Sequence, residues 1–380
     1  GGGERDREAQ VLMMRAHPAS GSRHLLRSSM PRAGAMPSPM ADRDLRAEFE
    51  ADGFVTGVRV LGADEAARAL NELDAYAGAE GGATAGAADA LCGDSRFKLH
   101  LLLPWVAELV RHPLLLDAVG RVLGTRDVLV WSSDVNAKPP HSGGFFAWHQ
   151  DATYAGLRPS FVTAWIALTP ATEQNGALLF APGSHRAGQL RHVEMPRDDA
   201  SAAVAWGDGA GAGDGATHNM LSRGQFVPDD VMRAALGGAG GAGGARQPVL
   251  ARLHPGEASI HDAHTLHCSA PNRSGQRRVG LAVRYMSTAA RKAEGLGPER
   301  ATLACGADAF GHFELEPRPV VPLGAAARAA HARSMALERA NYFRALQCEG
   351  RGAGQGAAQS PERRAEAGAQ DASSADDQYT

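Results

Sequence analysis

The segment His149-Gln150-Asp151 follows the aromatic run Phe145, Phe146 and Trp148. Residues i and i+2 of an extended chain project to the same side, so His149 and Asp151 present an imidazole and a carboxylate together while Gln150 faces away. That is two-thirds of a facial metal-binding triad. Far downstream, the stretch Gly256 to His267 offers three further imidazoles, His261, His264 and His267, as candidates for the third ligand. Two histidines and one carboxylate leave one face of Fe(II) open, which is what a bidentate cosubstrate plus dioxygen requires. Structural zinc, in contrast, closes its coordination shell. A lone His-x-Asp is weak evidence, since it occurs often by chance as a surface His with an Asp neighbour; the distant supply of imidazole favours the metal.

Ser269 and Arg278 follow His267 closely. A dicarboxylate that chelates iron through its keto-acid end needs a cation at its far end, and the planar fork of arginine grips a carboxylate in two places. Ser269 adds a hydroxyl. Arg277 beside Arg278 leaves open which of the two turns inward, although the position just before the apolar run Val279 to Val283 favours one inward-facing member of the pair.

The elements that must position these residues are short strands. Val128–Trp131, Phe145–Trp148, Phe161–Leu168, Ala177–Phe180, Ala258–Ile260 and Val279–Tyr285 are rich in β-formers and bounded by Pro, Gly, Asn or Asp. Strands at such intervals without alternating helices predict a sandwich or barrel rather than a βαβ fold. Helices are expected around them: one N-capped by Asp64 and carrying Leu70, Leu73 and Tyr76, two short ones opened by Pro104 and Pro113 with Gly124 as a stop, and another over Ala325 to Leu346.

Composition sets the limits. The 380 residues carry a formal net charge of -3 with scattered Lys and Arg, so a nucleic-acid partner is not expected. Four widely spaced cysteines form neither a zinc knuckle nor a disulfide framework, which fits a reducing, intracellular compartment. No apolar run approaches the roughly 20 residues that span a bilayer, so a soluble protein without a membrane partner is expected. Residues 1–40, with Arg15, Arg23, Arg27 and Arg32 and no acid from Ala9 to Met40, read either as an organellar transit peptide or as a disordered leader; the compartment is cytoplasmic or organellar accordingly. Residues 41–348 are expected to form one catalytic domain interrupted by Gly/Ala-rich insertions at 198–217 and 237–244. Residues 77–90 read as a loop and 349–380 as a disordered tail.

His149-Gln150-Asp151, Trp165, Asn175-Gly176, Pro182-Gly183-Ser184-His185, and His267-Cys268-Ser269 with Asn272 and Arg278 together resemble the motif series of the phytanoyl-CoA dioxygenase family, from about Leu45 to Tyr342. The resemblance implies a mainly β fold, a double-stranded β-helix of jelly-roll or cupin-like type with helices packed outside. It implies iron held by His149, Asp151 and His267, 2-oxoglutarate held by Arg278, and a cosubstrate pocket lined by Ser269, Trp165, Gln150 and Lys98. Lys138 matches a family Lys-Pro pair. The activity implied is dioxygen-dependent hydroxylation of a small-molecule substrate, an acyl-CoA or another metabolite, with release of succinate and carbon dioxide and with ascorbate as a supportive reductant. Halogenating relatives have a small residue where Asp151 stands, so hydroxylation is expected. The alternative, a cupin-like binding protein without turnover, is disfavoured because His149, Asp151, His267 and Arg278 are all intact.

On the residues alone, strand alternation puts His261 and His267 on one face and His264 on the other, and cannot choose between the first two. Along an extended chain His261 lies about 20 Å from His267 at about 3.3 Å per residue, too far for both to serve one ion. Proximity to Ser269 and Arg278 selects His267. His185 is expected to be structural, His261 and His264 to pack or to face the substrate, Cys268 to fill space, and Trp148 and Trp165 to wall the site.

Overall fold

The computed structural model describes residues 43–81, 91–194, 217–221, 224–238 and 246–355. The expected leader, most of the 198–217 and 237–244 insertions and the end of the tail fall outside these residues.

Among the described residues, six α-helices flank two main sheets: α1 (Leu45–Asp52), α2 (Ala63–Gly81), α3 (Pro104–Leu109), α4 (Pro113–Leu123), α5 (Asp229–Gly238) and α6 (Ala325–Gln355). Local chemistry sets their ends. The Asp44 carboxylate accepts from the Ala47 amide at 3.1 Å and Gly53 closes α1 in the left-handed region; Pro113 opens α4 and Gly124 closes it the same way. Asp64 sits inside the first turn of α2 instead of capping it. The cap is Glu65, whose carboxylate accepts from the Gly62 amide at 2.7 Å. The helix also runs on through Ala77–Gly81, where alanine favours helix and Ala77 is buried, so these residues are not the expected loop; residues 82–90 lie outside the described residues. At the other end, α6 continues to Gln355, past the expected boundary with the tail.

The strands of the two main sheets are β1 (Phe54–Arg59), β2 (Val128–Lys138), β3 (Gly144–His149), β4 (Val162–Ala167), β5 (Leu178–Phe180), β6 (His218–Asn219), β7 (Val249–Leu250), β8 (Glu257–Asp262), β9 (His267–Ser269), β10 (Arg278–Ser287), β11 (Arg300–Cys305) and β12 (Glu314–Leu315). A seven-stranded sheet has the order β1-β8-β4-β10-β2-β11-β12, and a five-stranded sheet the order β7-β5-β9-β3-β6. The two face one another: Phe54 of the larger stacks on Phe180 of the smaller at 4.7 Å, within an apolar core that includes Trp165 and Leu178. This is a jelly-roll, double-stranded β-helix. Its chain order has the consequence that β3 and β9, remote in sequence, pair antiparallel with His149 directly opposite His267. Among the described residues no helix is long and apolar enough to cross a membrane.

Candidate metal centre

Three side chains meet between the sheets. One ligand atom from each of His149, Asp151 and His267 lies within 4.8 Å of the others. His149 ends β3 and Gln150 is extended, at φ -120° and ψ 135°, so Asp151 returns to the side of His149 before the chain coils into a short turn. His149 Nδ1 donates to the Ala147 carbonyl at 2.7 Å and His267 Nδ1 to that of Thr265 at 3.0 Å. Each ring is thereby fixed in the tautomer that leaves an Nε2 lone pair for a metal. Both Nε2 atoms face the same oxygen, Asp151 Oδ1, at 3.6 and 3.8 Å. The other oxygen, Oδ2, accepts from Thr163 Oγ1 at 2.7 Å.

The electrostatics suit a cation. Burial pushes His267 well below the ordinary imidazole value, with His149 and His261 adding to the effect, so the ring offers a lone pair instead of a proton. Burial alone would raise Asp151, but the nearby His149 and His261 rings and the charge of Arg284 outweigh it and hold the carboxyl well below its usual range.

The residues around the triad explain how the motifs work. Ser184 Oγ accepts from the Leu266 amide at 2.9 Å, tying the Pro182-Gly183-Ser184 turn to the residue before His267. Asn272 Nδ2 donates to the carbonyls of Lys138, Pro139 and Gln276, which shapes the turn leading to Arg278. Gly176 has φ +78°, and a Cβ there would lie 2.1 Å from the Ala270 carbonyl oxygen, so only glycine lets this loop approach.

Arg278 opens β10, opposite Lys138 of β2. It is fully buried; Nη1 donates to the Gly176 carbonyl, whereas Nε and Nη2 have no hydrogen-bond partner among the described residues. Burial lowers it to about 9, which still leaves it cationic at neutral pH. Arg277, in contrast, is paired with Asp74 at 2.5 Å. Trp165 lies 5.0 Å from the Arg278 guanidinium carbon, and its indole covers Gly280 so closely that a Cβ there would sit 2.1 Å away. Ser269 is buried next to Lys138, whose ammonium donates to the Ser269 hydroxyl at 2.7 Å and to the carbonyls of Ser269 and Ala270. Lys138 is depressed well below its ordinary value by burial and then by Arg278.

Two residues expected in the cosubstrate pocket lie elsewhere. The Gln150 amide donates to the Gly188 and His264 carbonyls and accepts from the Leu190 amide, so its polar atoms are already used by the backbone on the far side of the strand, as its alternation requires. Lys98 is enclosed by Glu316 at 3.0 Å, Glu338 at 3.5 Å and the Trp131 carbonyl at 2.7 Å. It is a buried structural cation: burial would lower it, yet these carboxylates raise it, and Lys98 holds Glu316 far below the ordinary carboxylate range. Glu316→Ala is therefore expected to cost up to about 3–5 kcal/mol by removing the nearer of the two carboxylates paired with buried Lys98. Because the folded Glu316 value is depressed, its stabilisation is complete above an unfolded value of about 4.3 and fades as the pH falls below it. Urea midpoints of parent and Glu316→Ala at pH 7 and pH 4 should differ most at pH 7.

Trp148 also departs from expectation. It packs outward with Ala181, Val227, Leu266 and α5, because the β3/β9 register shifts between Phe146 and His149 and brings those two to the inner face instead. His264 lies on the turn after β8 with Nδ1 3.2 Å from Asp262 Oδ1. His261 breaks the extended-chain estimate: its ring centroid is 4.5 Å from that of His267. The chain reverses after Asp262, whose carbonyl accepts from the Thr265 amide, and β9 joins the opposite sheet, so the facing layers bring the two rings together.

The triad opens on a cavity of about 670 Å³ whose lining includes Arg96, Asp134, Arg284, Glu299 and Glu338. Asp134 pairs with Arg284 at 2.6 Å and Arg96 at 3.1 Å. The Asn219–Val227 segment, without an assigned role from sequence, contributes Asn219 and Gln225 to the wall. Asp134, Arg284 and Glu338 were equally illegible: each is an ordinary charged residue until pairing of β2 with β10 and the return of α6 place them together.

The phytanoyl-CoA dioxygenase (PhyH) family model matches residues 49–280. Ectoine dioxygenase of Bordetella bronchiseptica is 33% identical over 161 residues, covering 40% of this chain and 51% of that protein. L-proline trans-4-hydroxylase of Streptomyces griseoviridis is 29% identical over 184 residues, covering 47% and 62%. The chain thus spans about half the length of the curated relatives it matches. The solved structure of the non-heme monooxygenase ThoJ, in its apo form, shares 30% identity and a TM-score of 0.62, covering 80% of this chain and 99% of that one. The family match runs from α1 to the start of β10 and so takes in every strand that carries a residue of this cluster: the chain belongs to the phytanoyl-CoA dioxygenase family.

Proposed function

We propose that this chain is an Fe(II)- and 2-oxoglutarate-dependent dioxygenase that hydroxylates a small polar molecule, with release of succinate and carbon dioxide. The observation that carries the reading is a run of buried polar groups without hydrogen-bond partners among the described residues, on one sheet face beside the triad: His261, Ser259, Trp165 Nε1 and the Arg278 fork. Strand register orders them. His261 lies opposite Thr163, and Ser259 opposite Trp165, whose indole reaches over Gly280 toward Arg278. Buried polar groups are normally satisfied. A dicarboxylate with one end at the metal and the other at Arg278 is the chemistry this run fits. ThoJ has also been solved as a nickel complex, at 28% identity and a TM-score of 0.57.

His149, Asp151 and His267 would hold the iron. When bound, iron and 2-oxoglutarate supply the oxidising chemistry, coupling loss of carbon dioxide from the cosubstrate to oxygen insertion into a C–H bond. The chain's own groups do the rest. The Ala147 and Thr265 carbonyls orient the two imidazoles, Thr163 holds Asp151 Oδ2, and Arg278 with Trp165 aligns the far carboxylate. Phe180, beside His267, and Trp165 keep water from the reacting face. The charged part of the cavity lining, with Arg284 and Glu338, is suited to a polar substrate.

The test is succinate formation by the purified protein with Fe(II), ascorbate and 2-oxoglutarate, screened against fractionated metabolite extracts. Stimulation by a fraction, absent in His149→Ala, is expected. Succinate at the level of the His149→Ala variant under every condition would overturn the reading.

A further inference from the structure

His261 is a buried imidazole, its side chain 2% exposed, on the cavity wall with neither nitrogen hydrogen-bonded among the described residues. Its surroundings are apolar or already committed: Phe180 lies 5.1 Å from the ring and His267 4.5 Å, ring centre to ring centre. Packing alone does not account for the residue type, since a phenylalanine would fill this space with no polar atom to satisfy. What the ring faces is specific. Nε2 is 3.6 Å from Asp151 Oδ2, just outside hydrogen-bond contact, whereas His149 and His267 both face Oδ1. Thr163, the register partner of His261 on β4, donates to the same Oδ2.

The two oxygens of Asp151 are therefore divided. Oδ1 belongs to the corner shared by the two ligand imidazoles, and Oδ2 to a pair of donors carried on adjacent strands of the larger sheet. We propose that His261 is a positioning residue for the metal centre, donating Nε2–H to Asp151 Oδ2 alongside Thr163 and so keeping the carboxylate on the metal through Oδ1 alone. A carboxylate gripped from behind by two donors cannot swing to chelate with both oxygens, and the coordination positions needed by a cosubstrate stay free. Partners that hydrogen-bond a metal ligand in this way typically change metal affinity by about 10–100-fold.

This inference rests on the metal reading above, and its test separates the two. Mn(II), a redox-silent probe, is titrated into metal-free parent, His261→Phe, His261→Gln and His261→Leu, and free Mn(II) is read from its electron paramagnetic resonance signal, with thermal unfolding of each metal-free protein alongside. His261→Phe is expected to unfold at the parental temperature and to bind Mn(II) about 10–100-fold more weakly, while His261→Gln, which keeps an N–H donor, stays within about threefold of the parent. His261→Leu serves in place of the Phe variant should the latter not fold. Parental affinity in the Phe or Leu variant, or equal weakening in His261→Gln, overturns the assignment. Absence of Mn(II) binding by the parent itself would overturn the metal reading, and this inference with it.

Discussion

His267→Ala is expected to fold, to lose metal affinity by at least roughly a hundredfold, and to form no succinate. The ring can supply one of three ligand atoms and stands directly opposite His149 in the β3/β9 register. Loss of an outer partner already costs about 10–100-fold in metal affinity, and loss of a ligand must exceed that. The nearby His261 makes this a sharper experiment than sequence suggested. Its ring is close enough to be considered a replacement, yet its Nε2 faces Asp151 Oδ2 and not the Oδ1 corner. His264→Ala serves as control, because that side chain lies on the turn against Asp262 and should leave binding intact. Metal content after dialysis decides: stoichiometric iron in His267→Ala would contradict the ligand assignment.

The second large effect is expected at Arg278. Charge-assisted hydrogen bonds contribute roughly 1.5–3 kcal/mol, or about ten- to a hundredfold in affinity, so Arg278→Ala should raise the 2-oxoglutarate concentration for half-maximal turnover by that factor. Arg277→Ala should not, since its guanidinium is already taken by Asp74. Fixing the metal concentration well above saturation separates this effect from metal loss. An unchanged 2-oxoglutarate dependence in Arg278→Ala would place the anchor elsewhere, with Lys138, buried at the neighbouring register position, next to be examined.

The sequence made much of this site legible, and the reasons are local. His149 and Asp151 share a side because two residues of extended backbone suffice, and no tertiary information is required. The strands were visible because β-branched and aromatic runs are broken by turn residues, although β2 extends through Lys138, well beyond the apolar stretch that announced it. β11 and α5 were not anticipated: β11 is a short mixed segment, and α5 is only 10 residues long and runs into a Gly/Ala-rich stretch. The errors came from long-range geometry. Treating Ala258–His267 as a single extended segment separated His261 from His267, whereas a turn and a change of sheet stack them. Lys98 matched a motif position, yet its partner Glu316 is distant in sequence and claims it for the fold. The charged lining of the cavity depends on β2, β10 and α6 converging, which no local pattern encodes.

One measurement addresses most directly the claim that a single pocket holds metal and dicarboxylate together: calorimetric titration of 2-oxoglutarate into the protein, first metal-free and then loaded with Mn(II). Chelation at His149, Asp151 and His267 combined with the Arg278 fork should make binding at least about tenfold tighter in the loaded protein, with a stoichiometry of one. The same titration of Arg278→Ala should lose a comparable factor while its Mn(II) affinity stays parental. Binding of 2-oxoglutarate that is indifferent to Mn(II), or none in the loaded protein, would contradict the shared pocket.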